Sequence, residues 1–254
     1  MKRSEANTPA APSKARRIAR AGGKTPSPVR RRAAADGDAT SIRNQVIAFK
    51  REQIILAAVE LFFSNGYQQT TLDEVASKLD MTKPFIYYHF KDKEALLCEI
   101  SQRAICEAVK TLKTALDAPG TPTERLYWAM KALMMGVIEQ QRYTAVFFRE
   151  QKNLSEAARG PIYAQHREYD QLLVSLLNEG IRKREFTIAD PHICALGLSG
   201  MTGWAYNWYR PEGRLAASAI SELIAEMALR AVGVGAKKIK ALAAKAAAAS
   251  AIQP

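Results

Sequence analysis

The sequence has few of the residues that most often carry catalysis or bind metals. Its 254 residues include only three Cys and three His. Cys98, Cys106 and Cys194 form no metal-ligand spacing and no even disulfide set, so we interpret them as buried thiols of a protein in a reducing cytoplasm. His166 and His192 have no carboxylate or cysteine at motif spacing, and no glycine-rich phosphate loop follows a strand pattern. These absences predict a protein that is not an enzyme and that holds no metal or cofactor.

Long hydrophobic runs are also absent. No apolar stretch reaches the ~18 residues of a membrane span, and the N-terminus has charge without the hydrophobic core of a secretory signal. Apolar residues make up 48% of the chain, as in ordinary soluble domains. We therefore expect a cytoplasmic protein with no membrane partner. Strand signals and internal repeats are missing too, which predicts an all-α fold.

Acidic residues are scarce at both ends of the chain. Residues 1–45 hold eleven Lys and Arg against three acids, and residues 234–254 hold four Lys and no acid, whereas residues 46–233 hold 22 of each sign. The net charge of +12 therefore belongs to the two ends. We predict that both ends are disordered, because they have too little apolar surface to fold alone; a partly formed helix also fits the last twenty residues. The N-terminal end fits either a solvated tail or a basic arm that contacts DNA phosphates or the minor groove.

The stretch from residue 70 to residue 97 predicts two short helices joined by a tight turn, followed by a third. Thr71 stands three residues before Glu74, which is the spacing of a capping box. Thr82 is a second N-cap, and Pro84 suits a first helical turn, where its missing N–H is not needed. This layout, with hydroxyl, amine and aromatic groups at the start of the second helix, is typical of proteins that read the DNA major groove.

The runs TTLDEVA (70–76), MTKPFIYYHF (81–90) and KEAL (93–96) resemble the DNA-binding signature of the TetR family of bacterial regulators. The sequence departs from the common pattern at Asp80, where glycine is frequent, and at Pro84, where a small residue is frequent. The resemblance implies that the start of the second helix enters the major groove and that a two-fold dimer binds a palindrome. The expected DNA contacts are Lys50, Thr70, Thr71 through its backbone N–H, Thr82, Lys83, Pro84, Phe85, Tyr87, Tyr88, His89 and Lys93. Helical periodicity turns Ile86 and Phe90 inward and leaves open whether Phe85 faces DNA.

Helical patterns divide the rest of the chain. We predict a basic N-terminal tail over residues 1–45, a helix-turn-helix DNA-binding domain over residues 46–92 whose first helix begins near Val46, a ligand-binding and dimerisation domain over residues 93–233, and an Ala/Lys-rich tail over residues 234–254. The predicted core of the DNA-binding domain consists of Phe62, Leu72, Val75, Ile86 and Phe90.

The runs FFRE (147–150) and GMTGWAYNWYRPEGRL (200–215) resemble the TetR subgroup that controls fatty-acid and steroid breakdown and responds to acyl-CoA thioesters. Such a ligand requires an apolar tunnel and cations near its phosphates. The candidate ligand contacts are Tyr127, Met130, Met134, Phe147, Phe148, Arg149, Tyr169, Trp204, Trp208 and Arg210. An alternative stays open, in which the methionines and tryptophans belong to the core and Arg210 caps a helix C-terminus.

The last two helices of the ligand-binding domain carry the candidate dimer contacts. These are Gly197, Gly200, Ile220, Leu223, Ile224 and Met227, and two such helix pairs would form a four-helix bundle. The function we predict is a ligand-responsive regulator, most simply a repressor that binds a double-stranded DNA operator as a homodimer and is released by a small apolar effector. An acyl-CoA thioester is one candidate effector. The alternative is an architectural, nucleoid-associated protein that binds DNA with low specificity.

Overall fold

A computed structural model describes the backbone of residues 28–250 and the side chains of residues 42–245. The chain divides into two units, residues 1–47 and residues 48–254, and every contact described below lies within the second. The helices are α1 (Pro28–Asn65), α2 (Leu72–Lys78), α3 (Lys83–His89), α4 (Lys93–Asp117), α5 (Pro122–Glu139), α6 (Gln141–Glu150), α7 (Glu156–Arg182), α8 (Pro191–Gly203), α9 (Ala205–Trp208), α10 (Ala217–Ala231) and α11 (Ala236–Ser250), with a 3₁₀ turn at Gln151–Asn153. No strand occurs between residues 28 and 250, which confirms the predicted all-α fold. None of the helices described is both long and apolar enough to cross a membrane.

The second part of α1, together with α2 and α3, forms a small head. Its five predicted core residues, Phe62, Leu72, Val75, Ile86 and Phe90, are all buried, as predicted. The capping box is also confirmed, because the Thr71 hydroxyl accepts from the Glu74 N–H at 3.2 Å and the Glu74 carboxylate accepts from the Thr71 N–H at 2.7 Å. Asp80 takes the left-handed conformation, with φ of 52°, that the turn between α2 and α3 requires.

Helix α4 joins the head to the helices that follow. Asp92 caps it by accepting from the Ala95 N–H at 2.6 Å. Two basic side chains then tie α4 to α1: Arg51 donates to both Glu99 oxygens at 2.8 Å, and Arg103 donates to the Glu52 oxygens at 2.6 and 2.8 Å. Arg103 also reaches Glu99 at 3.2 Å, and the guanidinium of Arg51 holds the pKa of the Glu99 carboxyl below its usual value. The four side chains thus form one charged cluster across the two helices.

Helix α5 is central to the body, where it packs against α4, α7, α8 and α10. Its buried side includes Leu126, Met130 and Met134. Asp190 caps α8 as predicted, because its carboxylate accepts from the His192 N–H at 2.8 Å and from the Ile193 N–H at 3.1 Å. The prediction of buried thiols holds in part, since Cys98 and Cys194 are half-buried but Cys106 is exposed.

The prediction of a disordered C-terminal tail is wrong over its described residues. Helix α11 spans Ala236–Ser250, and the side chains of Ile239 and Leu242 are buried in the main core. Two of its lysines pair with acids of the body, Lys238 with Glu185 at 2.9 Å and Lys245 with Glu124 at 2.8 Å. The apolar pair at i and i+3 sufficed to anchor a helix that alanine already favours.

The boundary predicted for the N-terminal tail is wrong as well. Helix α1 begins at Pro28 and not near Val46, so residues 28–45 are helical. Proline at a first helical position and the Arg/Ala run that follows it both favour a helix start. The rest of the predicted tail, residues 1–27, lies outside the described residues.

Candidate DNA-binding surface and ligand cavity

Helix α3 presents one side to the core of the head and the other to solvent. Ile86 is fully buried, whereas Thr82, Lys83 and Pro84 in the first turn are exposed. Tyr87 and Tyr88 are also exposed. Thr82 caps the helix by its backbone conformation and its hydroxyl makes no cap hydrogen bond, so that hydroxyl is available to a ligand. The first turn therefore offers a hydroxyl and an amine beside two phenols.

Lys83 forms an ion pair with Asp73 of α2. The hydrogen bond with Asp73, together with its charge, raises the pKa of the Lys83 ammonium above the usual value. Both side chains are largely exposed, so the pair is weak and its partners exchange easily. A phosphate or base edge that approaches α3 therefore competes with Asp73 for the ammonium.

Three predicted DNA contacts have structural roles instead. Thr70 is fully buried, and its hydroxyl donates to the Gly66 carbonyl at 2.9 Å, so it fixes the end of α1. The N–H of Thr71 already donates to Glu74 and is not free for a phosphate. The Lys93 ammonium donates to the Tyr67 carbonyl at 2.7 Å and lies 4.3 Å from the centre of the Tyr67 ring. The sequence pattern of the three residues fits these internal contacts as well as it fits DNA contacts.

His89 and Phe85 lie on the border between the core and the exposed side of α3. The His89 ring packs edge-on against Phe85 at 4.9 Å and against Tyr88 at 5.1 Å between ring centres. Burial, and then the nearby Arg51 charge, lowers the pKa of His89. Phe85 packs against the core, which answers the question that periodicity left open. Lys50 is half-buried on α1.

A cavity of about 410 Å³ lies among α4, α5, α6, α7, α8 and α9. Its wall is rich in aromatic rings. Phe147 stacks on His166 with 5.2 Å between the ring centres, and Phe148 stacks on Tyr206 at 5.3 Å. The volume is within the range of small-molecule sites, and the wall has the predominantly apolar character of such sites.

Four of the ten predicted ligand contacts line this cavity. They are Phe147, Phe148, Tyr169 and Trp204. The prediction is wrong for Tyr127, Met130 and Met134, which lie in the core of the body and do not line the cavity, as the alternative interpretation held.

The other three predicted contacts also lie outside the cavity wall. Arg210 donates to the carbonyls of Asn207 at 3.2 Å and Tyr209 at 2.8 Å, so it caps the end of α9. Trp208 is exposed and is not part of the wall. The Arg149 guanidinium lies 5.3 Å from the ring centre of Phe63 and 5.9 Å from that of Tyr206. Of the three, Arg149 alone lies beside a residue that lines the cavity.

The charged side chains that line the cavity are acidic. They are Glu107 of α4 and Asp170 of α7, and no Lys or Arg belongs to this wall of described residues. His166 lies one turn before Asp170; burial lowers its pKa, against the opposing effect of the Asp170 charge. Sequence analysis missed all three residues. The signal was the position of His166 and Asp170 beside Tyr169, which the sequence had already singled out.

An exposed apolar surface, which we call the α8 face, consists of Ile193, Leu196, Gly197, Gly200 and Trp204.

Next to the α8 face, helix α10 exposes Leu223 and Met227. Four of the six predicted dimer contacts, Gly197, Gly200, Leu223 and Met227, are therefore at the surface. Ile220 and Ile224 instead pack partly buried against the core of their own subunit.

Two parts of the chain match known protein families. Residues 54–100 match the family described as "Bacterial regulatory proteins, tetR family", and residues 119–232 match "Tetracyclin repressor-like, C-terminal domain". Among known proteins, the HTH-type transcriptional repressor KstR2 of Mycolicibacterium smegmatis is 22% identical over 177 residues, which are 69% of this chain and 86% of KstR2.

Two solved structures extend the comparison over the whole fold. A regulator of the TetR/AcrR family from Thermobifida fusca is 34% identical, with a TM-score of 0.58, over 71% of this chain and 96% of that one. AibR, solved in complex with isovaleryl coenzyme A and operator DNA, is 26% identical, with a TM-score of 0.64, over 70% of this chain and 96% of AibR.

Proposed function

Given that the chain belongs to the TetR family of DNA-binding transcriptional regulators, we propose that it is a repressor, which binds a palindromic operator as a homodimer and releases it when a small apolar ligand fills the cavity. The observation that carries this proposal is the combination, in one chain, of an exposed α3 surface with a separate, apolar cavity. The name of KstR2 supports repression, and the AibR complex supports joint recognition of a ligand and an operator.

DNA recognition is assigned to the exposed side of α3. The Thr82 hydroxyl and the Lys83 ammonium are placed for base edges or phosphates in the major groove. The phenols of Tyr87 and Tyr88 and the half-buried Lys50 are placed for the DNA backbone, where such contacts set register and orientation. A single α3 makes too few contacts for a specific site, and a two-fold dimer that reads two half-sites supplies the rest.

The ligand proposal is an acyl-CoA thioester whose acyl group alone enters the cavity. The aromatic wall favours an apolar group, whereas Glu107 and Asp170 repel the phosphates of coenzyme A. The phosphates then lie outside the cavity, and Arg149, which packs beside Tyr206, is the nearest candidate to pair with them. AibR, whose structure contains isovaleryl coenzyme A, supports this ligand class.

Helix α4 is the proposed link between ligand and DNA. It contributes Ile105 and Ala108 to the cavity wall, and one to three turns earlier its Glu99 and Arg103 bind Arg51 and Glu52 of α1. A ligand that shifts α4 therefore shifts the head. A groove of about 570 Å³ between the head and the corner of α5 and α6 leaves space for that movement. The ligand must favour the released state by ~2–3 kcal/mol to lower operator affinity usefully.

A fluorescence-anisotropy titration tests the proposal. A labelled palindrome from the promoter region of the protein's own gene is titrated with and without isovaleryl-CoA or a long-chain acyl-CoA, with free coenzyme A as the control. We expect specific binding that an acyl-CoA, but not coenzyme A, reverses. Specific binding that no acyl-CoA changes would remove this ligand class and keep the regulator.

The same titration separates the architectural alternative, which requires equal affinity for the palindrome and for unrelated DNA. The C-terminal part of the basic ends gives that alternative little support. Lys238 and Lys245 are paired with Glu185 and Glu124 of the body, so their charge is largely neutralised within the subunit.

A further inference from the structure

We infer that a second copy of this chain closes the ligand cavity, because the cavity opens onto the α8 face and the α8 face packs against its own counterpart in the partner. This inference rests on the proposed function, since it takes the cavity as the ligand site and the dimer as the working form. It adds that neither subunit holds a complete ligand site alone.

The first observation is that the cavity and the α8 face share residues. Leu196, Gly200 and Trp204 belong to the cavity wall and are also exposed to solvent, Leu196 by 60% and Trp204 by 56%. Large apolar side chains at the mouth of an apolar cavity are unfavourable in water. In a single subunit the mouth is therefore open, and a cover that contacts these side chains also closes the cavity.

The second observation concerns the glycines of the α8 face. A Cβ atom built at Gly197 or Gly200 meets nothing within 4 Å, so the fold of the subunit does not require glycine at either position. The contrast is Gly180 in α7, where a Cβ would collide with the ring of Phe186. Each glycine in a helix costs about 1 kcal/mol relative to alanine. Close approach of a helix from outside the subunit accounts for that cost.

The third observation is charge. No charged residue occurs from Ile193 to Tyr209. On the neighbouring α10, Glu222 is paired with Lys131 at 2.7 Å and Glu226 with Arg230 at 2.9 Å. An uncharged surface leaves no unpaired charge behind when it is buried. A second copy brings the same uncharged surface, and a two-fold axis sets identical patches against each other, whereas DNA would require cations here.

Trp204 reports directly on this arrangement. The variant Trp128→Phe/Trp208→Phe leaves Trp204 as the single tryptophan of the full-length protein. Acrylamide quenching and the emission maximum are measured over a range of protein concentrations, with the oligomeric state determined by sedimentation in the same samples. We expect at least a twofold fall in quenching and a blue shift as the dimer forms. A dimer in which Trp204 is quenched as readily as in the monomer would overturn the inference.

The matched control is Trp204→Phe/Trp208→Phe, which leaves Trp128. Trp128 lies on α5, outside both the cavity wall and the α8 face, and is also partly exposed. Its quenching should not change when the dimer forms. A parallel change in both tryptophans would reveal a general change of conformation and would also contradict the inference.

Gly200→Leu tests the close approach of the two faces. The new side chain has open space in the subunit, so we expect the helix content and the melting temperature of the monomer to be preserved while the dimer is lost. Gly160→Leu is the matched control, because Gly160 in α7 is also exposed with nothing within 4 Å. Retention of the dimer by Gly200→Leu would count against the inference.

Closure of the cavity is tested with a variant outside its wall. Leu223→Glu places a charge on the exposed side of α10 without altering a residue of the wall. The probe is Nile red, a neutral apolar dye. We expect the variant to be monomeric and to bind the dye at least tenfold more weakly than the dimer does. Equal affinity in the monomer and the dimer would show that one subunit suffices.

Operator binding, measured by anisotropy on the same samples, separates this inference from the proposed function. A dimer that shields Trp204 but binds no specific operator would keep the inference and remove the repressor. A repressor that dimerises with Trp204 exposed would do the reverse.

Discussion

Helices α3 and α8 both present a side to solvent, but the chemistry of the two sides differs. Helix α3 exposes a hydroxyl at Thr82, an ammonium at Lys83 and the phenol of Tyr88. Helix α8 exposes aliphatic side chains, glycines and the indole of Trp204, with no charge. A phosphate backbone requires the first set of groups, whereas a protein surface or an apolar ligand is better matched by the second. Charge, rather than exposure, distinguishes the two surfaces.

The two helices also differ in how they are anchored. Helix α3 has seven residues and one buried side chain, Ile86. Helix α8 has thirteen residues and buries Ala195, Leu198 and Thr202. The short helix depends on its caps and on the neighbouring α2, and the longer one depends on its own packed side. Mutations should therefore separate packing from recognition more cleanly on α8 than on α3.

The largest effect is expected from the pair Leu198→Ala and Leu196→Ala, which lie two residues apart on opposite sides of α8. Leu198 is 1% exposed, so its truncation should lower the free energy of unfolding by about 2–5 kcal/mol. Leu196 is on the α8 face, so its truncation should leave the unfolding of the monomer nearly unchanged and weaken the dimer. Urea denaturation at two protein concentrations distinguishes the two effects. Equal losses that do not depend on concentration would remove the distinction between the two sides of α8.

The next effect is expected from Lys83→Glu. The change removes a cation from the α3 surface and sets a second acid beside Asp73, so operator affinity should fall by about 2 kcal/mol per half-site, or about 30-fold. Operator titrations at several salt concentrations measure this loss and should show a smaller salt dependence. Lys240→Glu on α11 is the matched control, because it alters the net charge equally at an exposed position far along the chain. Similar losses in both variants would favour low-specificity binding.

Local signals allowed the boundaries of the head to be predicted from the sequence. Thr71 and Glu74 are three residues apart and make each other's hydrogen bonds, and the same holds for Thr121 and Glu124 at the start of α5. Such contacts depend on neighbours in the chain, so the sequence contains them. The start of α1 at Pro28 was missed although its signal is local, because the basic composition was given more weight than helix propensity.

The cavity and α11 depended on contacts between distant residues. Met130 and Met134 have the spacing of a cavity wall, but their side of α5 faces the core, and Glu107 and Asp170 line the cavity instead. Helix α11 is held by Lys238, which bonds Glu185 from 53 residues away in the chain. A periodic pattern shows which residues share a side of a helix, but the neighbour of that side is set by the rest of the fold.

A smaller effect is expected from Arg103→Ala, which tests how the two surfaces communicate. Arg103 donates to Glu52 and Glu99, so its removal should loosen α1 from α4 and reduce the coupling free energy between ligand and operator by about 0.5–2 kcal/mol. Operator affinity without ligand should change less than the ligand effect does. Anisotropy titrations with and without isovaleryl-CoA give both quantities.

The matched control for this change is Arg230→Ala, which also removes an Arg–Glu pair, with Glu226 at 2.9 Å, but within α10. Its coupling free energy should equal that of the wild type. If both variants lost coupling, or if neither did, the cluster of α1 and α4 would not be the link between the cavity and the head.

The smallest effect is expected from pH, because each of the two regions contains one half-buried histidine. Burial lowers the pKa of His89 in the head and of His166 in the cavity wall below 6.5. A histidine whose folded-state pKa is lowered stabilises the fold above the unfolded pKa, and that contribution is lost as the pH falls from about 6.5 through the folded pKa. Urea denaturation should therefore show lower stability at pH 5.5 than at pH 7.5.

His166→Gln divides this pH effect between the two regions. The variant should lose the part that comes from the cavity and keep the part from His89, which remains beside Arg51. Acid should also weaken dye binding in the wild-type cavity, because a charged imidazole stacked on Phe147 disfavours an apolar occupant. Nile red titrations at both pH values check this in the dimer. If His166→Gln kept the full pH dependence of both stability and dye binding, the titrating group would lie outside the cavity, and α7 would contribute only apolar surface to it.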